Sequence, residues 1–331
     1  MIETVFAPVA QAISSGKIPG AVLGILGKDG TRHIQHAGAA QLVPNRREMT
    51  DDKIFDLASL TKVLLTTPAV LRLVAEGRID LDDPISTAIP DLYQYVAGHA
   101  LRKITVRQCL SHQSGLPAVE PIYTWGSNPD TLKALVLQKD WALGANVYSD
   151  INFIWLGLLV ERLTGKSLRD LAVEAGFQAG APVDQAVATE HCQWRGRVIS
   201  GEVHDENAFS LGGISGHAGL FGTVTQVLDA ADAILKGIWL PKAALAAMVE
   251  PQSEQRALGW ERRYAGWTGG SLCSPRTIGH TGFTGVGLWI DLERGHAWTL
   301  LTNRVHPSRH FDSGIMPLRR AVGNLAAAVL G

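Results

Sequence analysis

Ser59 and Lys62 stand three residues apart in Asp56-Leu57-Ala58-Ser59-Leu60-Thr61-Lys62, where a helical pattern begins. Residues i and i+3 share a helix face, so the Lys62 amine reaches the Ser59 hydroxyl. A serine hydroxyl is a weak nucleophile until a neighbouring base takes its proton. A lysine that is partly desolvated and set beside other cationic donors supplies such a base near neutral pH. A serine in the first turn also adds its backbone N–H to the anion-binding character of a helix start. Spacing alone has little weight, because a chain of this length holds about one S-x-x-K by chance. Ser14-Ser15-Gly16-Lys17 is such a copy, and Gly16 and Pro19 put its lysine in a turn.

Two further segments carry groups of the right chemistry. Tyr148, in Val147-Tyr148-Ser149-Asp150-Ile151-Asn152, follows the turn residues Gly144-Ala145-Asn146 and precedes an apolar helix. A loop phenol beside a cationic amine can ionise or relay a proton. Ile278-Gly279-His280-Thr281-Gly282 opens a C-terminal β region. Gly282 lets the backbone approach a ligand closely, and the Phe283 N–H falls on the strand edge.

The elements that must position these groups follow from periodicity. Phe6, Val9, Ala10 and Ile13 recur at helical spacing, and Gly16 and Pro19 end that helix. Lys28-Asp29-Gly30 joins two short β-prone runs, 21–26 and 32–36, as a hairpin. Glu293-Arg294-Gly295 joins a second pair, 287–292 and 297–302, and a helix over about 315–330 closes the chain. Between these ends the pattern is mainly helical, over 60–76 with Pro68 kinking or restarting the helix, then 105–110, 130–137, 152–163 and 224–235. The expected fold is α/β of the α+β type. Terminal strands pair into one antiparallel sheet in a lobe made of residues 1–60 and 256–331. A mainly helical lobe, 61–255, is inserted, and the active groove lies between the two.

Composition excludes other classes. Thirty Lys and Arg against thirty-one Asp and Glu leave a formal charge of −1, so no basic field draws nucleic acid. No run of 18 apolar residues offers a membrane span. Cys109, Cys192 and Cys273 are odd in number and widely spaced, as reduced buried thiols are. The opening Met1-Ile2-Glu3-Thr4-Val5-Phe6 lacks the basic and apolar regions of a signal peptide, which gives a cytoplasmic expectation. His204, Asp205, Glu206 and His217, or His33 with His36, offer a metal alternative. No H-E-x-x-H accompanies them, and no metal or cofactor is expected.

Taken in order, S-x-x-K, Tyr-Ser-Asp and His-Thr-Gly resemble the motifs of the penicillin-recognising serine hydrolases, the β-lactamase-like group. That group includes class C β-lactamases, D-alanyl-D-alanine carboxypeptidases and related esterases. Leu81-Asp82-Asp83-Pro84, the segment Ile104 to Leu116, Val203-His204-Asp205-Glu206-Asn207-Ala208, Gly216 to Phe221 and Leu301 to Pro307 extend the resemblance over nearly the whole chain. It implies that Ser59 attacks a carbonyl and forms an acyl-enzyme. Lys62 and Tyr148 then act together as general base, and Tyr148 protonates the leaving group. The N–H groups of Ser59 and Phe283 form the oxyanion hole. His280, Thr281 and Gly282 line the strand side, and Asn303 and Arg304 face a substrate carboxylate. The partner implied is a small acyl or peptide substrate.

Two positions depart from the pattern. Asp150 stands where the second motif usually ends in Asn, which exchanges an amide donor for an anion and holds Lys62 charged. Asn152, two residues on, is the compensating candidate for contact with a substrate carbonyl. His280 stands where the third motif often has Lys, so a fixed positive charge is lost. These departures favour hydrolysis of peptides, amides or esters over potent cleavage of anionic β-lactams. They also keep open a protein that is acylated without turning over.

Overall fold

The computed structural model describes residues 1–331. The first helix, α1 (Ile2–Ser14), leads into β1 (Gly20–Leu26) and β2 (Arg32–Gln41), and β3 (Arg47–Glu48) continues the meander. The C-terminal strands β8 (Glu261–Arg262), β9 (Thr277–Thr281), β10 (Gly287–Asp291) and β11 (His296–Thr302) join the same sheet, in the order β3-β2-β1-β11-β10-β9-β8. All its pairings are antiparallel, and β1 meets β11 with Ala21 opposite Thr302. The first and last strands of the chain thus lie side by side, which joins the two hairpins into one sheet.

Period-two alternation decides what each face buries. Ala21, Leu23 and Ile25 pack with Trp289, Trp298 and Leu300 against α1 and the closing helix α10 (Ile315–Leu330). Val22 and Leu26, with Leu288, Ile290 and Leu301, turn to the opposite face and the helical region. There Gly24 does particular service: a Cβ on it would stand 2.7 Å from Val224 Cγ2. Its absence admits the helix over Val224–Leu235 onto the sheet.

Between β4 (Phe55–Asp56) and β8 the chain is largely helical. A π-helical stretch, Lys62–Thr66, runs directly into α2 (Thr67–Ala75). Pro68 marks the restart: it falls in the first turn of the α-helical part, where a missing N–H is tolerated. There follow α3 (Val106–Leu110), α4 (Pro129–Gln138), α5 (Asp150–Thr164), α6 (Leu168–Glu174), α7 (Glu206–Ser210), α8 (Val224–Leu235) and α9 (Lys242–Val249). A hairpin of β5 (Ala188–Cys192) and β6 (Arg197–Ser200) and the short β7 (Phe221–Gly222), paired to β4, interrupt the helices. One apolar cluster runs from sheet residues such as Val22 and Leu288 through α5 and α8, so sheet and helices share a core. The three thiols are free and buried. No helix is long and apolar enough to cross a membrane.

Asn303 belongs to this framework. It is 1% exposed. Its Oδ1 accepts from Gly20 N at 3.1 Å, and its Nδ2 donates to Ala39 O at 3.1 Å and Ala40 O at 3.2 Å. The expectation that Asn303 faces a substrate carboxylate is therefore corrected: its amide is spent on buried backbone groups where β1, β2 and the end of β11 meet. Asn303→Ala is expected to cost about 2–4 kcal/mol, since it strands one N–H and two carbonyls out of water. Equilibrium urea unfolding measures this, and a change below about 0.5 kcal/mol would contradict the assignment.

Candidate active site

The turn carrying Ser59 is held in an uncommon backbone conformation. Ala58, just before it, has φ +46°, in the left-handed region a β-carbon disfavours. Neighbouring groups over-determine the turn. Buried Asp56 accepts from Ala58 N at 2.8 Å and from His204 N at 2.6 Å. Thr61 donates to Ala58 O at 2.6 Å, and Thr284 donates to Asp56 O at 2.9 Å. From the other side comes the end of β9. A Cβ on Gly282 would lie 2.5 Å from Val286 Cγ2 and 3.0 Å from both Ala58 Cβ and Leu57 O. Glycine alone lets the strand end come this close.

Ser59 and Phe283 are thus carried by adjoining turns. Neither N–H is used in a hydrogen bond within the chain. The Phe283 turn is clamped from behind by Arg319 of α10, whose guanidinium donates to Gly282 O at 3.0 Å and Val286 O at 2.7 Å. Arg319 was not among the sequence candidates, since a lone arginine in a closing helix carries no motif.

Lys62 is fully buried, and its Nζ lies 2.9 Å from Ser59 Oγ, 2.8 Å from Asp150 Oδ1 and 3.1 Å from His217 O. The Tyr148 ring centroid is 4.9 Å from the same nitrogen, which sets the phenol beside the Lys62–Ser59 pair. Burial works against the ammonium, but Asp150 and Tyr148 outweigh it and hold Lys62 above the ordinary lysine range. Burial also raises the Tyr148 phenol, more than nearby Lys62 lowers it. The resting site is therefore an ammonium, a carboxylate and two neutral hydroxyls. The decoy pair stays apart: Ser14 bonds Gln11 O, and Lys17 reaches Asp312 O, both at the exposed surface.

Tyr148-Ser149-Asp150 is pinned through the backbone. Ser149 N donates to His112 Nδ1 at 3.0 Å, Ser149 Oγ to Pro117 O at 2.6 Å, and Asp150 N to Ala118 O at 2.9 Å. An accepting Nδ1 requires a neutral His112, and burial, with Arg256 and Lys62 nearby, holds that imidazole well below the usual histidine range. His280 is likewise neutral through burial, then through Lys62 and Arg256, and its Nδ1 lies 2.9 Å from Thr281 O. It adds no charge to the strand side, in line with the loss of a fixed cation there. Thr281 ends β9 beside it, half-buried. Asn152, in the first turn of α5, is fully buried, and neither end of its amide finds a hydrogen-bond partner. Arg304 stacks 4.7 Å over the exposed Phe283 ring and makes no ion pair. Arg309, close by, is committed to Glu190 at 2.6 Å and to Glu206.

The His204–His217 region does not assemble as one cluster. His204 pairs with Glu190 at 3.0 Å, whereas His217 Nε2 meets Asp205 at 2.9 Å. Asp150, Asp205 and His217 bring ligand-type atoms within 4.8 Å of one another. The cation at that place is the Lys62 ammonium, in contact with Asp150 and with the His217 carbonyl. Sequence alone shows Asp205 and His217 as motif members and ligand-type residues, not as neighbours of Lys62. The H-D-E-N and G-H-A-G segments were the signal, and only folding shows that they meet Lys62.

A family model described as Beta-lactamase matches residues 5–321. The chain belongs to the β-lactamase family. This β-lactamase-family chain is 32% identical to an N-acetylmuramyl-L-alanine amidase of Bacillus subtilis (strain 168), over 90% of this chain and 80% of that protein. It is 30% identical to a protein of Escherichia coli (strain K12) provisionally named a D-alanyl-D-alanine carboxypeptidase, over 81% and 75% of the two chains. Among solved structures, a class C β-lactamase superposes with TM-score 0.74 at 19% identity, covering 99% of this chain and 97% of that one. The likeness in structure bears on the fold. The protein is a hydrolase with an antiparallel sheet flanked by helices, as the motif order led one to expect.

Proposed function

We propose that this hydrolase works through a Ser59 acyl-enzyme and cleaves amide or peptide bonds in cell-wall-derived fragments, with the N-acetylmuramyl-L-alanine amide as its first candidate substrate. The observation that carries the reading is one buried amine 2.9 Å from the Ser59 hydroxyl and 4.9 Å from the centre of the Tyr148 ring. Ser59 Oγ attacks the carbonyl, and its proton passes to the Lys62–Tyr148 pair. The free N–H groups of Ser59 and Phe283 receive the developing oxyanion. Tyr148 protonates the departing amine, and water then releases the acyl group by the reverse proton path.

The substrate class rests on two supports. One is the identity to the Bacillus subtilis amidase along 90% of this chain. The other is Arg304, an unpaired guanidinium beside Phe283 that suits a carboxylate on a peptide or muramyl group. With His280 neutral, the strand side lacks a second fixed cation, so β-lactams are expected to be cleaved weakly. The test is release of peptide from N-acetylmuramyl-L-alanyl-D-isoglutamine, compared with release of D-alanine from a D-Ala-D-Ala peptide and with a fluorogenic ester panel. Muramyl peptide is expected to give kcat/KM at least about tenfold above either alternative. Esters hydrolysed while both amide substrates stay intact would make the protein a carboxylesterase. Labelling of Ser59 with no turnover of any substrate would make it an acylated sensor.

A further inference from the structure

Lys62 as an ammonium cannot take a proton from Ser59. An ammonium nitrogen carries no lone pair, and Ser59 Oγ, Asp150 Oδ1 and His217 O stand around its N–H bonds. The charged groups facing this amine come from several elements. Asp205 is one carboxylate near it, but it is engaged by His217 Nε2 and by Ala208 N at 2.7 Å. His112 and His280 are neutral. Arg256 lies 5.3 Å from the Tyr148 ring centroid and reaches Glu261 at 3.5 Å. Asp150 touches the ammonium, and no other side chain donates a hydrogen bond to the Asp150 oxygen that touches it. The Asp150 side chain keeps 18% of its surface open, whereas that of Lys62 has none.

We infer that Asp150 is the internal proton acceptor that turns Lys62 into a base once substrate covers the site. Water at the open face of Asp150 sustains the ion pair. A docked substrate removes that water, and an ion pair without solvent costs more than the neutral pair of amine and carboxylic acid. One proton then moves from Lys62 Nζ to Asp150, and the freed amine takes the Ser59 proton as the Oγ–C bond forms and the carbonyl π pair moves onto oxygen. On collapse the C–N bond breaks, Tyr148 gives its proton to the leaving nitrogen, Lys62 reprotonates Tyr148, and Asp150 returns its proton to Lys62. Protons balance with none exchanged with solvent, whereas beside an asparagine a resting ammonium must first lose its proton to solvent. Asp150 acts through Lys62 and is a positioning residue in this sense.

The inference rests on the proposed Ser59 chemistry, and its test separates the two. Fluorophosphonate inactivation needs Ser59 deprotonated but presents no amine leaving group, so its rate against pH isolates proton removal. Wild type is expected to keep its rate down to about pH 6. Asp150→Asn must lose the lysine proton to solvent, so its acidic limb moves up by at least about two pH units. That is about a hundredfold loss at pH 6, with recovery toward wild type above pH 9. Asp150→Glu is expected to restore the low-pH rate. Should Asp150→Asn not fold, Asp150→Ser gives the same comparison. Superimposable acidic limbs, or a loss equal at every pH, would overturn the proton-acceptor role while leaving the acyl-enzyme intact. Labelling of Ser59→Ala at the wild-type rate would instead overturn the proposed function itself.

Discussion

Ser59→Ala is expected to abolish fluorophosphonate labelling and to lower hydrolysis of any accepted substrate by at least about 10⁴-fold. The magnitude follows from covalent catalysis: without Oγ there is no acyl-enzyme, and only binding and oxyanion stabilisation remain. The fold should survive. Ser59 is half-buried, and its backbone carbonyl, not its hydroxyl, accepts from Lys62 N at 3.1 Å. The Ala58 turn is held by Asp56 and Thr61 regardless of the side chain at 59. Intact-mass analysis after labelling, with circular dichroism of both proteins, makes the comparison. A Ser59→Ala protein that still gains the probe mass at another residue would end the assignment of the nucleophile.

The second large effect is expected at Lys62 and Tyr148. Lys62→Ala and Tyr148→Phe should each reduce kcat by at least about a hundredfold with a smaller change in KM, as loss of a positioned proton carrier does. The two variants differ in their physical cost. Removing a fully buried ammonium leaves Asp150 without its counter-charge and opens a cavity. Lys62→Met fills that cavity and separates catalytic from packing loss. Tyr148→Phe keeps the aromatic contact with His112, whose ring centroid lies 4.6 Å away, and removes only the hydroxyl. Steady-state kinetics on the best substrate decide the matter. Rates within threefold of wild type in both variants would show that other groups move the protons.

These effects concentrate in a region where the fold holds a strained turn, a buried cation and unpaired polar groups together. The strain at Ala58 persists because Asp56 and Thr61 hold the turn locally and Gly282 packs on it from a distant part of the chain. Arg319, clamping the carbonyls on either side of Phe283, extends the same rigidity to the proposed oxyanion turn. A preorganised site of this kind needs little rearrangement as charge develops.

Local patterns in the sequence were enough for the terminal hairpins, the closing helix and the i, i+3 contact of Ser59 with Lys62, because neighbours along the chain set those geometries. Motif order carried Tyr148 and His280 to the same neighbourhood before any coordinates. Tertiary structure alone decided the rest. Asn303 follows the β11 strand as a substrate-facing residue would, yet folding turns its amide into the sheet, where backbone groups from β1 and β2 would otherwise lie unpaired. Asp150 was readable as an anion that holds Lys62 charged, but the full burial of that amine was not. His217 meets Lys62 across 155 residues of chain, and Arg319 meets Gly282 across 37. Such pairings depend on how sheet and helices pack in three dimensions, since no periodicity along the chain records which distant side chains will share one desolvated space.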